Sequence, residues 1–205
     1  MENLTEHWNG IFEKTDENKL GWYEKDFAQT LKFLNLIPQR EDLKIFVAGV
    51  GTSGLIELLL KSNAKLVLND LSSIAIEKAK NKYGDNRDCI QWLCHDISKL
   101  FPAEIKDIDI WLDRAVLHFL NDEGCIEQYF KNVNAAVKYG GYAIFAEFSK
   151  KGATKCAGLD VRRYDVQDLE SRLPSFELTA TEEYTYTNPI GDPRPYIYTL
   201  FKKSR

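Results

Sequence analysis

The segment GVGTSG at residues 49–54 has the residue types and spacing of a loop that binds a ligand against the backbone. It lies between an apolar run and a helical pattern, where glycine allows a sharp turn and leaves no Cβ to block the ligand. An acid, Asp70, ends the next apolar run, about 20 residues beyond the first glycine. A carboxylate at this place can accept hydrogen bonds from both hydroxyls of a ribose. The pair predicts an adenosine site; its purely structural alternative is a glycine turn and a helix-capping Asp.

The hydrophobic pattern predicts the elements that position this pair. Apolar residues recur at helical spacing over residues 1–37, which indicates two amphipathic helices that end before Pro38. From Lys44, short apolar runs alternate with helical stretches, and runs such as residues 45–50 are typical of strands covered on both faces of a parallel sheet. We therefore expect the glycine loop to join a buried strand to the helix that follows it.

These elements predict one α/β domain spanning residues 1–205. Its sheet is doubly wound, mostly parallel and seven-stranded, with a C-terminal antiparallel hairpin, because no helical pattern separates the last two β-rich stretches. Residues 1–37 form an N-terminal helical cap, residues 44–147 the ligand-binding core, and residues 148–205 a substrate-side loop, a helix and the hairpin. A turn is predicted at Gly140-Gly141, before the fifth strand.

Composition limits the partners and the compartment. The 27 Lys and Arg residues are outnumbered by 31 Asp and Glu residues, so we expect neither nucleic acid nor a membrane surface as a partner. The sequence shows no signal peptide and no apolar run near the roughly 20 residues that cross a bilayer, which favours the cytoplasm. The four cysteines lack zinc-ligand spacing and only three histidines occur, so no metal site is expected. The oligomeric state stays open, with a monomer as one possibility.

Further motifs follow the remaining strands in a characteristic order. They are AGVGTSG at 48–54, ND at 69–70, HDI at 95–97, DRAVLHFL at 113–120 and GG at 140–141. In this order, and with its closing pair of strands, the chain resembles the class I S-adenosylmethionine-dependent methyltransferases over nearly its whole length. The fold of that family is Rossmann-like, and the resemblance implies S-adenosylmethionine as the cofactor.

The resemblance also implies roles for individual residues. Asp70 would hold the ribose, Asp96 the adenine amino group with Ile97 against the ring, and Asp113 and Arg114 would lie near the methionine end. A plain N-cap is the alternative for Asp96. The complete predicted cofactor set is Gly49, Val50, Gly51, Ser53, Gly54, Asp70, Leu71, Asp96, Ile97, Asp113, Arg114 and Trp22. One position departs from the family pattern: Val47 replaces a common acid, so backbone carbonyls or another acid must hold the cofactor's amino group.

Three residues are candidates for catalysis: Asp113, Arg114 and His118. For Asp113 and Arg114 the alternative is an ion pair or a helix-capping role, and for His118 it is a buried histidine that only makes hydrogen bonds. Methyl transfer requires mainly alignment of the nucleophile and exclusion of water. A base is needed only when the accepting atom arrives protonated.

The predicted function is in-line methyl transfer to a small-molecule acceptor. Five cations after the fifth strand suit an acidic acceptor or, equally, a solvated loop face: Lys150, Lys151, Lys155, Arg162 and Arg163. The aromatic residues Trp8, Trp22 and Tyr23 suit either a lid or core packing. A protein lysine methyltransferase of the same fold and a non-catalytic cofactor-binding protein remain alternatives. A nicotinamide oxidoreductase is disfavoured, since no second domain is left to bind its substrate.

Overall fold

The computed structural model describes residues 4–38, 40–84 and 88–204. Six α-helices are described: α1 (Leu4–Lys14), α2 (Ala28–Leu34), α3 (Leu55–Leu60), α4 (Ser73–Tyr83), α5 (Glu123–Ala136) and α6 (Val166–Glu170). The strands are β1 (Lys44–Ala48), β2 (Lys65–Asp70), β3 (Ile90–Cys94), β4 (Ile108–Arg114), β5 (Val137–Phe148), β6 (Lys155–Cys156), β7 (Leu159–Asp160), β8 (Phe176–Thr187) and β9 (Pro193–Lys203).

The main sheet has seven strands in the order β3-β2-β1-β4-β5-β9-β8. Strand β1 is parallel to both of its neighbours, with Val47 opposite Leu68 of β2 and Leu112 of β4. The chain winds outward from β1 in one direction through β2 and β3, and in the other through β4 and β5. This reversal leaves a crevice beyond the carboxyl ends of β1 and β4, which is where ligands bind in open α/β sheets.

The C-terminal strands confirm the predicted antiparallel hairpin. Strand β9 inserts between β5 and β8 and is antiparallel to both, with Phe145 opposite Thr199 and Thr181 opposite the same threonine. Side chains of β8 alternate between partly buried and exposed along most of its length. That alternation marks an edge strand with one face toward solvent, and it explains why β8 carries more polar residues than β1 or β4.

Two apolar layers cover the sheet. One joins the strands to α3 and α4, and the other joins them to α5, with Trp111 stacked on Phe46 at a ring distance of 4.0 Å. Strand β1 is buried from Ile45 onward and β4 is buried up to Asp113. Burial on both faces is the reason that these strands read as continuous apolar runs.

The Gly-Gly pair differs from its prediction. Gly140 and Gly141 lie within β5, not in a turn before it. Pairing with β4 shifts there, since Ile108 faces Val137 but Ile110 faces Tyr142. Gly140 has φ +72°, and a Cβ on Gly141 would lie 2.9 Å from the Lys138 carbonyl oxygen. The two glycines therefore permit a bulge that would be strained for other residues.

Helix α1 and the β6–β7 hairpin together cover the crevice. The His7 ring Nε2 lies 3.0 Å from the carbonyl oxygen of Ala157 in the hairpin, and Trp8 packs edge-on against Phe119 at 4.8 Å. Asn9 accepts a 2.7 Å hydrogen bond from the Ser72 hydroxyl, which anchors α1 beside the end of β2. Within the described ranges, no helix is long and apolar enough to span a membrane.

Candidate functional site

A cavity of about 760 Å³ lies at the carboxyl ends of the parallel strands, beneath α1 and the β6–β7 hairpin. Its volume falls within the roughly 300–1,000 Å³ of small-molecule sites. A second cavity of about 70 Å³ adjoins it at the glycine loop. Seven predicted residues line the larger cavity: Gly49, Asp70, Leu71, Asp96, Ile97, Arg114 and Trp22. Val50, Ser53 and Gly54 line the smaller one, whereas Gly51, Asp113 and His118 line neither.

The glycine loop is fixed in a conformation that requires glycine at two positions. Gly49 and Gly51 have φ values of +52° and +54°, in the left-handed region. A Cβ on Gly49 would lie 2.3 Å from Val116 Cγ2, so the loop also packs too closely against the segment after β4 to admit a side chain. The Val50 amide donates a 2.8 Å bond to the Asn69 carbonyl, which ties the loop to the end of β2. Gly49 itself lines the cavity.

Asp70 faces this loop from the neighbouring strand. Its Oδ2 accepts a 2.8 Å bond from the Gly51 amide, and its Oδ1 accepts a 2.8 Å bond from the Ser72 amide. Burial raises the pKa of Asp70 to about 6, against the lowering effect of those two amides. Each carboxylate oxygen has a second lone pair, so the side chain can still accept hydroxyl donors from the cavity.

Asp96 lies in a turn after β3, where the sequence also allowed a helix N-cap. Its Oδ1 accepts bonds from the Ser98 amide at 2.9 Å and the Ser98 hydroxyl at 2.7 Å, while its carbonyl accepts from the Lys99 amide at 2.9 Å. No helix follows among residues 97–100. This arrangement orients one face of the turn, with the buried Ile97, toward the cavity.

Arg114 ends β4 and forms a buried ion pair with Glu24, a residue of the cap. Arg114 Nη2 lies 3.0 Å from Glu24 Oε1, and Nη1 donates a 3.2 Å bond to the Trp22 carbonyl. The guanidinium also lies over the rings of Tyr186 and Tyr196 at 5.2 and 5.4 Å. Burial raises the pKa of Glu24, and the Arg114 charge opposes this rise.

This pair retains unused polar atoms. In the described part of the chain, Glu24 Oε2 and Arg114 Nε are buried without a hydrogen-bond partner. Both residues line the smaller cavity next to the glycine loop. Buried polar atoms without partners are rare because they cost free energy, so these two indicate a place for a ligand that carries both charges. The sequence predicts that backbone carbonyls or another acid hold the cofactor's amino group, but no local pattern points to Glu24, since its position depends on how the N-terminal segment folds back over β1.

Asp113 and His118 lie together beneath the cavity floor, both fully buried. Asp113 Oδ1 accepts from the Val116 amide at 3.1 Å, and its Oδ2 accepts from the Tyr129 hydroxyl at 2.5 Å. Glu147 Oε2 accepts from the His118 amide at 3.1 Å and lies 2.8 Å from His118 Nδ1. Burial lowers the pKa of His118 to about 3 and raises that of Glu147 to about 8. Burial, followed by the neighbouring Glu147 charge, also raises the pKa of Asp113 well above its ordinary value.

The five cations after β5 are not brought to the cavity. Four of them face carboxylates: Lys150 with Asp168 at 2.5 Å, Lys151 with Glu183 at 2.6 Å, Lys155 with Asp160 at 3.5 Å, and Arg162 with Glu123 at 2.8 Å. Arg163 donates a 2.9 Å bond to the Lys150 carbonyl. Only the hairpin residues Gly158, Leu159 and Asp160 of this region line the cavity.

The predicted lid aromatics divide between two roles. Trp8 and Trp22 line the larger cavity, and their rings meet edge-on at 5.6 Å. Tyr23 does not line that cavity; it lines the second cavity of about 70 Å³ beside the glycine loop, and its carbonyl accepts a hydrogen bond from the Tyr186 hydroxyl. Phe119 completes the aromatic wall against Trp8, a contact that sequence spacing did not reveal because 111 residues separate the two.

Part of the chain matches known proteins in sequence. Residues 46–143 match the model of a family described as a methyltransferase domain. A malonyl-[acyl-carrier protein] O-methyltransferase of Ilyobacter polytropus is 26% identical over 114 residues, which is 55% of this chain. The matched segment spans 40% of that relative.

Solved structures share the fold at low sequence identity. A methyltransferase from Anabaena variabilis has a TM-score of 0.78 at 15% identity, covering 98% of this chain and 95% of its own. The N-methyltransferase NodS of Bradyrhizobium japonicum, solved with S-adenosylhomocysteine, has a TM-score of 0.76 at 15% identity over the whole of both chains. The predicted Rossmann-like fold is thereby confirmed, and the match over residues 46–143 supports the resemblance of this chain to the class I S-adenosylmethionine-dependent methyltransferases.

Proposed function

We propose that this protein transfers the methyl group of S-adenosylmethionine, in line, to a small-molecule acceptor held in the larger cavity. The observation that carries the proposal is the 2.8 Å bond between Asp70 Oδ2 and the Gly51 amide. It brings the ribose-binding acid and the glycine loop to one wall of the same space. The sulfonium supplies the electrophile, so the protein has to bind, orient and exclude water.

The nucleoside end of the site is assigned to residues after β2 and β3. Asp70 accepts the ribose hydroxyls with its remaining lone pairs, and Leu71 and Ile97 contact the adenine ring. Asp96 has one carboxylate oxygen committed to Ser98, which leaves Oδ2 to accept the adenine amino group. All four residues line the same cavity.

The amino-acid end is assigned to the buried ion pair beside the glycine loop. The guanidinium of Arg114 pairs with the cofactor carboxylate, and Glu24 Oε2 accepts from the cofactor ammonium. Glu24 then provides the acid that β1 lacks at Val47. The carboxylate and ammonium groups of the cofactor would each face a protein group of opposite charge, and both protein side chains have polar atoms without a hydrogen-bond partner.

Asp113, Glu147 and His118 are assigned the role of positioning the segment after β4. The carboxyl oxygens of Asp113 and Glu147 accept hydrogen bonds from the amides of Val116 and His118, and these bonds hold Arg114 and Phe119 at the cavity. His118 is enclosed below this segment and does not line the cavity. Of the three residues predicted for catalysis, Arg114 alone reaches the ligand space.

Cofactor titration and methyl transfer test this function together. We expect S-adenosylmethionine and S-adenosylhomocysteine to bind in isothermal titration calorimetry and NAD not to bind. Methyl-labelled cofactor should pass its label to a component of a bacterial extract that goes through a small-pore filter. Label in the retained protein fraction would instead support a protein methyltransferase, and tight binding without any transfer would support a non-catalytic protein.

A further inference from the structure

We propose that the methyl acceptor is an amine attached to an aromatic or similarly flat apolar body. This inference rests on the proposed function and names the substrate class of the same cavity. It follows from three features of the walls: the rings that form them, the charges that face the ligand, and the location of groups able to accept a proton.

Aromatic and apolar side chains form the walls beyond the nucleoside end. Trp8 packs against both Trp22 and Phe119, with ring distances of 5.6 and 4.8 Å, and Leu159 lies in the hairpin that completes this part of the lining. Trp8, Trp22 and Phe119 are only partly buried, so part of each ring remains available to a ligand. Such faces bind flat apolar groups and attract cations.

The charges on these walls disfavour an anion. Asp122 and Asp160 line the cavity on this side. The described lining contains two cationic side chains, Lys99 and Arg114. Arg114 is paired with Glu24, and Lys99 lies close enough to Asp122 to help lower the pKa of that carboxylate. Asp160 also faces Lys155 at 3.5 Å. Among the described residues, a carboxylate or thiolate acceptor would therefore find no lining cation without a protein carboxylate near it.

A hydroxyl acceptor would need a base that the cavity does not place near it. His118 is fully buried behind the lining, and burial lowers its pKa to about 3. His95 lies at the nucleoside end beside Asp96, with its Nε2 3.2 Å from the Leu100 carbonyl oxygen. The Cys125 amide lowers the pKa of Asp122, which makes that carboxylate a weaker base. A fraction of an amine is present as the free base at neutral pH, so its lone pair can attack without a base in the cavity once its ammonium form has lost a proton to water.

The chemical step balances without another reagent. The ammonium form of the acceptor first gives one proton to water. The nitrogen lone pair then forms the new N–C bond while the C–S bond breaks and its electron pair goes to sulfur. The methylated ammonium can release a further proton to solvent. Asp122 and Asp160 favour the methylated cation after transfer, and alignment of the two reactants lowers the barrier.

The chemistry of the labelled product tests the inference. Protein is incubated with methyl-labelled S-adenosylmethionine and the filtrate of a bacterial extract, and the product is separated by ion exchange and treated with alkali. We expect the label to be retained by a cation exchanger and to survive alkali, as a methylated amine does. Release of labelled methanol by alkali would identify an ester, and a stable neutral product an ether; either result would overturn the inference. So would label confined to protein. Absence of all transfer would refute the proposed function itself.

Matched inhibitors and variants give an independent reading of the same cavity. We expect 2-phenylethylamine to inhibit the labelled transfer at a concentration at least tenfold lower than 3-phenylpropionate does. Trp8→Leu and Asp160→Asn should each raise the KM for the acceptor at least fivefold and leave the Kd for S-adenosylhomocysteine within twofold. The controls are Tyr139→Leu and Glu177→Gln, both exposed and outside the cavity, which should change neither value. Stronger inhibition by the propionate would contradict the inference.

Discussion

Asp70→Asn, compared with a structural control, tests the binding role of the strand-end acid. The substitution keeps the volume and one acceptor oxygen, but it removes the charge proposed to face the ribose and one of the two acceptors for the Gly51 and Ser72 amides. A hydrogen bond to a charged group contributes about 1.5–3 kcal/mol, and about 1.4 kcal/mol corresponds to a factor of ten. We therefore expect the Kd for S-adenosylhomocysteine to rise about 10- to 150-fold at pH 7.5.

The pH dependence of the same binding gives a second readout. Because the pKa of Asp70 is raised to about 6, its protonated form becomes dominant below that pH and carries no charge for the proposed contact with the ribose. Affinity of the wild-type protein should fall about tenfold between pH 7 and pH 5. The Asp70→Asn variant has no such proton to gain, and we expect its loss over this interval to be smaller.

Calorimetric titrations from pH 5 to pH 8 provide the measurement, and Asp109→Asn provides the control. Asp109 is a buried acid near the start of β4, at the opposite end of the strands, where it accepts a 3.0 Å bond from the Lys44 amide and pairs with Lys138 at 2.5 Å. Its variant should lose stability and keep cofactor affinity. Wild-type-like affinity of Asp70→Asn would refute the reasoning, as would an equal loss in the control.

Three further substitutions test the surrounding architecture. Glu24→Gln should weaken S-adenosylhomocysteine about tenfold in calorimetry but leave 5′-methylthioadenosine, which lacks the amino-acid end, unchanged; equal losses would contradict the assignment. Gly49→Ala should lower the free energy of unfolding by about 1–3 kcal/mol in urea, because its Cβ overlaps Val116 and its φ is positive. Glu147 holds its proton to about pH 8 when folded and to about pH 4.5 when unfolded, so its stabilising effect is complete below pH 4.5 and lost by about pH 8. Urea unfolding from pH 6.5 to pH 8 should show this decline in the wild type and a flatter profile in Glu147→Gln.

The segment after β4 links these predictions. It packs on the glycine loop through Val116, lines the cavity through Phe119, and is held from below by Asp113 and Glu147. Glu147 belongs to β5, the neighbouring strand, and its carboxyl reaches the His118 amide. Loss of a buried acceptor leaves an amide without a partner, which costs about 1–3 kcal/mol. The ligand-facing segment therefore depends on two carboxyl groups that do not themselves reach the ligand.

The fold and the nucleoside half of the proposed site can be predicted from local sequence patterns. Alternating and continuous apolar runs show whether one or both faces of a strand are buried, so the strands can be recognised from the sequence. The glycine loop and Asp70 lie directly after such runs, so their place at strand ends can also be recognised from nearby residues. Gly140-Gly141 is predicted as a turn before the fifth strand but forms a bulge within β5, and the sequence does not distinguish the two because glycine permits both conformations.

Which charges face the cavity depends on tertiary packing and cannot be predicted from the sequence pattern. Glu24 meets Arg114 across 90 residues of chain, and the five cations after β5 find partners within the protein. His118 lies one residue from the cavity-lining Phe119, yet the tight turn at residues 117–119 directs it into the core. Long-range pairing and side-chain direction depend on how separate elements pack, and no local pattern encodes them.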